Sequence, residues 1–244
     1  MQRLGFCLVM MLGFLIEATL GFGGTVAALP LCSMIVGIHT AIPAITIIVC
    51  IASLVIVIQD RAYIAYKPYF IMMILMLAGM PLGMMAYAYL PERPLKILLG
   101  VFTVLVAVKG LSRTNIGIKL PEQEKVAFRY YICLLLAGVV HGAFSSGGVL
   151  AVMYANRAIR EKRAYRVTLS AIWFSLNLLI TAKNLLTGSI TRDTFSLSCI
   201  ALPFVAGAIV AGNILLKRLN GAVFVKLVYV MLLISGGLMV MQAL

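Results

Sequence analysis

Acidic side chains are scarce in this chain: seven Asp and Glu stand against twenty Lys and Arg in 244 residues, and charged residues make up only 11%. A soluble domain carries about a quarter charged residues, so the chain lacks the polar surface to stay dissolved alone. The five cysteines (Cys7, Cys32, Cys50, Cys133 and Cys199) all lie in apolar runs and form no C-x-x-C pair, so nothing in the spacing supports disulfides or a metal site. No G-x-x-x-x-G-K-[ST] occurs, which excludes ATP drive through a P-loop in this chain. The hydrolase signatures H-E-x-x-H and G-x-S-x-G are missing as well, and no cofactor is implied.

Apolar residues fill that space, at 63% of the chain. They form runs over 4–37, 42–58, 68–90, 95–111, 129–156, 165–187, 194–216 and 222–243. A membrane span takes about 20 apolar residues, so these runs predict an all-α polytopic membrane protein in the lipid bilayer. Continuous rather than alternating runs exclude an outer-membrane barrel. The first run is too long for the h-region of a signal peptide, and a related stretch recurs mid-chain, so cleavage is not expected. The excess positive charge sits in the gaps between runs, where headgroups and topology account for it better than nucleic acid does.

The chain repeats itself. Residues 13–24 read GFLIEATLGFGG and residues 137–148 read AGVVHGAFSSGG, which places Gly23-Gly24 on Gly147-Gly148 and Glu17 on His141. Weaker matches follow in the same order: Tyr63-Ile64 with Ser189-Ile190, and AGMPLG (78–83) with AGAIVAG (206–212). We therefore expect two membrane repeats of four segments, 1–112 and 128–244, joined by a polar linker at 113–127.

Charge placement tests how the segments cross. With eight single crossings the Lys and Arg residues divide ten and ten between the two sides. If the first segment of each half instead turns back at its glycines, the loops 59–67, 109–129, 157–166 and 217–226 share one side with fifteen, leaving five opposite. The second arrangement has the bias of a cytoplasmic face. It gives each half a glycine-broken, re-entrant hairpin and three crossings, and an odd count inverts the second repeat. Both termini then lie outside a cell inner membrane.

Glycine permits such breaks because it reaches positive φ without steric cost. Helices restarting after Gly21, Gly23 and Gly24, or after Ser145, Ser146, Gly147 and Gly148, would aim free N–H groups and a dipole of about +0.5 charge at a small oxyanion. Thr25 and the two serines add hydroxyls. The other reading is close helix packing through small residues. Glu17 is the only acidic residue within an apolar span and His141 the only histidine there. Such groups suggest proton coupling, or else a satisfied pair or a glutamate capped by Thr19. Asn177 is placed to face a cavity. Lys183 either supplies fixed charge to the anion or snorkels to headgroups.

Two halves of four segments, the turn with Gly13, Gly21, Gly23, Gly24 and Pro30, its echo in Gly138, Gly142, Gly147 and Gly148, and the Asn177…Lys183…Gly188-x-Ile190 stretch resemble the TauE/SafE sulfite exporter family over essentially the whole chain. Members often carry a third consecutive glycine, where this chain has Thr25 and Val149. The resemblance implies transport of sulfite, sulfonates or related small anions. The expected function is a secondary transporter for a small anion, working by alternating access with possible proton coupling, and not an enzyme. The alternatives are an anion channel or a membrane assembly subunit, and behind these a membrane-embedded enzyme.

Overall fold

The computed structural model describes residues 2–20, 23–112, 127–215 and 221–244, the side chains of 18–20, 162, 212–215, 221–228 and 231 excepted. The expected linker therefore lies almost wholly outside the described residues, as does Gly21. Among the described residues the secondary structure is entirely helical. The elements are α1 (Gln2–Leu20), α2 (Gly24–Val36), α3 (Ile38–Asp60), a short 3₁₀ turn (Arg61–Tyr63), α4 (Tyr66–Tyr89) and α5 (Glu92–Leu111). After the undescribed stretch come α6 (Phe128–Phe144), α7 (Gly148–Ala158), α8 (Lys162–Leu186), α9 (Arg192–Leu215) and α10 (Gly221–Ala243).

Among the described residues, five stretches are long and apolar enough to cross a membrane: Ile38–Tyr63, Tyr66–Tyr89, Glu92–Leu111, Arg163–Leu186 and Arg192–Ala211. The apolar runs at 4–37 and 129–156 are different. Each is broken into two helices, α1 with α2 and α6 with α7. Pro30, Pro43, Pro81 and Pro203 sit inside helices. Membrane helices tolerate proline because neighbouring groups satisfy the freed carbonyls.

The chain forms two compact units that cut across the sequence repeats. One comprises Met1–Ile42, Tyr89–Ile118 and Cys199–Leu244, and the other Pro43–Ala88 and Lys119–Ser198. In the first unit, α1 and α2 run antiparallel: a Cβ on Gly5 would lie 3.6 Å from Ile35 Cδ1, and one on Gly13 would lie 2.8 Å from Ala28 Cβ. The α5 and α10 backbones meet at Gly100 and Gly236, where a Cβ on either would sit 2.9 Å from the other's carbonyl oxygen. Gly110 makes room for the Tyr229 ring. The Arg93 guanidinium closes this pair by donating to the carbonyls of Ala243 and Leu244.

In the second unit α4 packs on α6 through glycines at four-residue spacing, which places them on one helical face. A Cβ on Gly79 or Gly83 would fall onto the carbonyl of Leu135 or Val139, and one on Gly138 or Gly142 onto that of Met76 or Met80. Close backbone approach through small residues supplies the van der Waals contact that replaces the hydrophobic effect inside lipid. The α6–α7 segment returns to its start: Arg129 and Arg157 lie 5.2 and 4.7 Å from the centroid of the same Tyr130 ring. Tyr131 and Tyr154 meet nearby, with ring centroids 5.7 Å apart. The start of α8 is tied to the end of α3 by the Arg163–Asp60 ion pair at 2.6 Å. The same guanidinium sits 3.9 Å over the Tyr63 ring.

Candidate functional site

The first turn lies between α1 and α2. Gly23 adopts φ 88, in the left-handed region, and its carbonyl accepts the first bond of α2 from Ala27 N–H at 3.0 Å. Gly24 is held against α1 so closely that a Cβ would fall onto the Gly13 carbonyl and lie 2.7 Å from Glu17 Cβ and 2.8 Å from Glu17 Oε2. Gly23 thus makes the turn and Gly24 the close packing. The Glu17 carboxyl therefore lies beside the first residue of α2. Glu17 Oε2 is shut off from solvent and has no partner. The Thr19 hydroxyl, the alternative partner for Glu17, lies outside the described side chains.

The second turn, between α6 and α7, uses a different residue for the reversal. Ser145 takes φ 50, while Gly147 has an ordinary φ of −70. The expectation that glycine turns the chain here is corrected. A left-handed serine is costly unless its surroundings hold it. Ser145 is held twice, by its N–H on the His141 carbonyl at 2.7 Å and by its hydroxyl against Thr46 Oγ1 at 2.8 Å. Gly147 is required for space instead, since a Cβ would fall onto the Ala137 carbonyl and lie 2.9 Å from His141 Cβ. Gly147 thus plays the packing part that Gly24 plays over Gly13 and Glu17. The Glu17–His141 equivalence survives in these contacts, but the glycines slip by one position relative to the sequence alignment.

His141 is 1% exposed, and neither ring nitrogen has a partner. The imidazole stacks on Trp173 of α8, with centroids 5.6 Å apart and planes 22° from parallel. The indole also reaches the start of α7, where a Cβ on Gly148 would be 3.5 Å from Trp173 Cζ2. Ser146 is 1% exposed and its hydroxyl is likewise unpartnered. One turn along α8, Asn177 Nδ2 donates to the Trp173 carbonyl at 2.8 Å, which leaves the buried Oδ1 without a donor. The Thr181 hydroxyl is unpartnered too.

The structure therefore brings together Ser145, Ser146, Gly147, Gly148 and His141, with Asn177 on the helix that carries the stacked indole. Sequence reasoning missed the place of Trp173 on the imidazole. The available signal was the four-residue ladder Trp173, Asn177, Thr181 on one face of α8. Thr46 gave no signal, because nothing local marks a threonine in α3 as the partner of a serine 99 residues away. Lys183 sits half-buried in the last turn of α8, beside buried Asn184.

Buried polar groups in native proteins are almost always satisfied. Leaving one unpaired costs about 1–3 kcal/mol. Here both imidazole nitrogens of His141 and the Ser146 hydroxyl stand unpaired next to the start of α7, and Asn177 Oδ1 and the Thr181 hydroxyl stand unpaired further along α8. The α7 N-cap, Gly147, offers no side chain to bond the first amides. Neutral donors on a positive dipole end suit a small anion better than a cation.

In comparison with protein families, the family described as Sulfite exporter TauE/SafE matches residues 6–239. No curated protein and no solved structure matches.

Proposed function

We propose, from the premise that this chain belongs to the TauE/SafE sulfite exporter family, that it is a secondary transporter carrying a small oxyanion such as sulfite or a sulfonate by alternating access. Membership makes it a multi-pass membrane protein of an anion-exporter family, and not of an enzyme family. The substrate, the mechanism and the coupling are our reading. One observation carries it: the unpartnered polar groups of His141 and Ser146, each 1% exposed, at the start of α7. A bound oxyanion would accept from Ser146, from one imidazole nitrogen and from the free α7 amides. Several donors are needed, because one helix dipole stabilises by only about 0.3–2 kcal/mol, too little to desolvate a charge alone.

Glu17 would carry the coupling proton, with His141 as the second exchangeable group. Lys183 would supply positive charge from the end of α8. Gly23, Gly24 and Thr25 would contribute the first turn, with Gly21 beside them in sequence. In the bilayer, α1–α2 would dip from outside and α6–α7 from the cytoplasm of an inner membrane, leaving three crossings in each half and both termini outside. The fifteen-to-five charge bias supports this. So does the meeting of Arg129 and Arg157 on Tyr130, which eight single crossings would put on opposite sides.

The test is sulfite flux into proteoliposomes under an imposed pH gradient. A carrier gives saturable flux that follows the proton gradient. Flux that rises linearly with sulfite and ignores pH would instead indicate an anion channel.

A further inference from the structure

The open end of the α6–α7 hairpin, opposite its turn, gathers positive charge. Arg129 in the first turn of α6 and Arg157 in the last turn of α7 lie 5.2 and 4.7 Å from the centroid of the one Tyr130 ring. A guanidinium held over a ring keeps N–H groups for a forked contact with two oxygens of a phosphate. Two such cations beside one ring repel each other, and Arg129 also stands at the positive end of the α6 dipole. The first turn of α6 holds no acid. The loop that follows α7, 157–166, carries five Lys and Arg against one Glu. That balance calls for an anion from outside the chain.

The outer side of the same corner is apolar. Phe128, Ile132 and Leu136 are 78%, 47% and 48% exposed, and their four-residue spacing puts them on one face of α6 next to Arg129. An anion dissolved in water makes no use of such a strip, whereas a phospholipid presents phosphate and acyl chain together. We propose that Arg129 and Arg157 bind the phosphate of an anionic phospholipid, with one acyl chain along the α6 face of Phe128, Ile132 and Leu136. Anionic headgroups attract basic side chains at the membrane surface, and a guanidinium–phosphate pair adds a fixed geometry to that attraction. The site does not rest on the oxyanion reading of the α7 start, and either can fail without the other.

The experiment uses the purified full-length protein, freed of lipid in a neutral detergent. Its melting temperature is followed against phosphatidylglycerol, phosphatidylcholine with the same acyl chains, and glycerol phosphate. Phosphatidylglycerol should raise it saturably, phosphatidylcholine by less than a quarter as much, and glycerol phosphate not at all. The double variant Arg129→Gln, Arg157→Gln should lose at least three quarters of the phosphatidylglycerol shift. A control pair, Arg61→Gln with Lys67→Gln, removes two cations from another loop and should keep it. Equal shifts from the two lipids overturn the proposal, and so do equal losses in the two double variants, which would mark general charge attraction. A glycerol phosphate shift as large as that of phosphatidylglycerol would mark a free-phosphate site and overturn the lipid assignment.

A second measurement needs no variant: native mass spectrometry of wild type from detergent holding equal amounts of the two lipids. One phosphatidylglycerol retained per chain in preference to phosphatidylcholine supports the site, even where the arginine variant does not fold. Equal retention of the two lipids overturns it.

Discussion

At the scale of single residues, two side chains at matching places have different neighbours. Glu17 lies against Gly24 with Oε2 unpartnered, whereas His141 is stacked on Trp173 with both ring nitrogens unpaired. A hydrogen bond to a charged group contributes about 1.5–3 kcal/mol. Ser146→Ala and His141→Ala should therefore each weaken sulfite binding by about tenfold or more, read from sulfite-dependent thermal stabilisation; unchanged affinity in both would remove the second turn from the binding site. Lys183 is half-buried near the end of α8. Lys183→Ala should lose more affinity at low salt than at high salt, because salt screens an attraction that solvent can reach. Equal loss at both would rule out direct charge attraction. Glu17→Gln keeps the size of the side chain but carries no exchangeable acid, so sulfite flux should lose its dependence on the pH gradient. A variant whose flux still follows that gradient would place the proton elsewhere.

At the scale of elements, neighbouring glycines have separable jobs. Overpacking costs about 1–3 kcal/mol. Gly147→Ala should destabilise by that order, because its methyl group meets the Ala137 carbonyl. Gly148→Ala should be nearly neutral, since its methyl reaches only ordinary contact with the Trp173 ring. The α4–α6 seam gives a second comparison. Gly142→Ala must push against the Met80 carbonyl, whereas Gly207 in α9 has nothing within 4 Å. Gly207→Ala should be neutral or slightly stabilising, by about 0.4–1 kcal/mol, through lower unfolded-chain entropy. Melting temperatures of the four variants in one detergent check both pairs, and similar losses in all four would contradict these assignments.

For the whole molecule, the testable quantity is sidedness. In a cysteine-free background, single cysteines at Arg61 and Arg160 should react with an impermeant thiol reagent only from the cytoplasmic side. Cysteines replacing Arg93 and Arg192 should react only from outside. Arg61 and Arg160 labelled from opposite sides would refute the hairpin topology, since eight single crossings separate those two loops. The two helix breaks were legible in the sequence because glycine placement is local. The compact units were not, because they join segments from both repeats, and pairing of distant helices leaves no local mark.

The sequence by itself determined that the chain is a helical membrane protein, where its apolar runs begin and end, that two of those runs break, and that Glu17 and His141 correspond. These follow from hydropathy, from glycine's backbone freedom and from repetition, all of which act over a few residues. Only the tertiary structure decided that Ser145 rather than a glycine makes the second turn, that Trp173 covers His141, and that Gly24 packs on Glu17. Each of those outcomes depends on which backbone atom or ring another helix brings within about 3–6 Å, the range over which hydrogen bonds and ring contacts act.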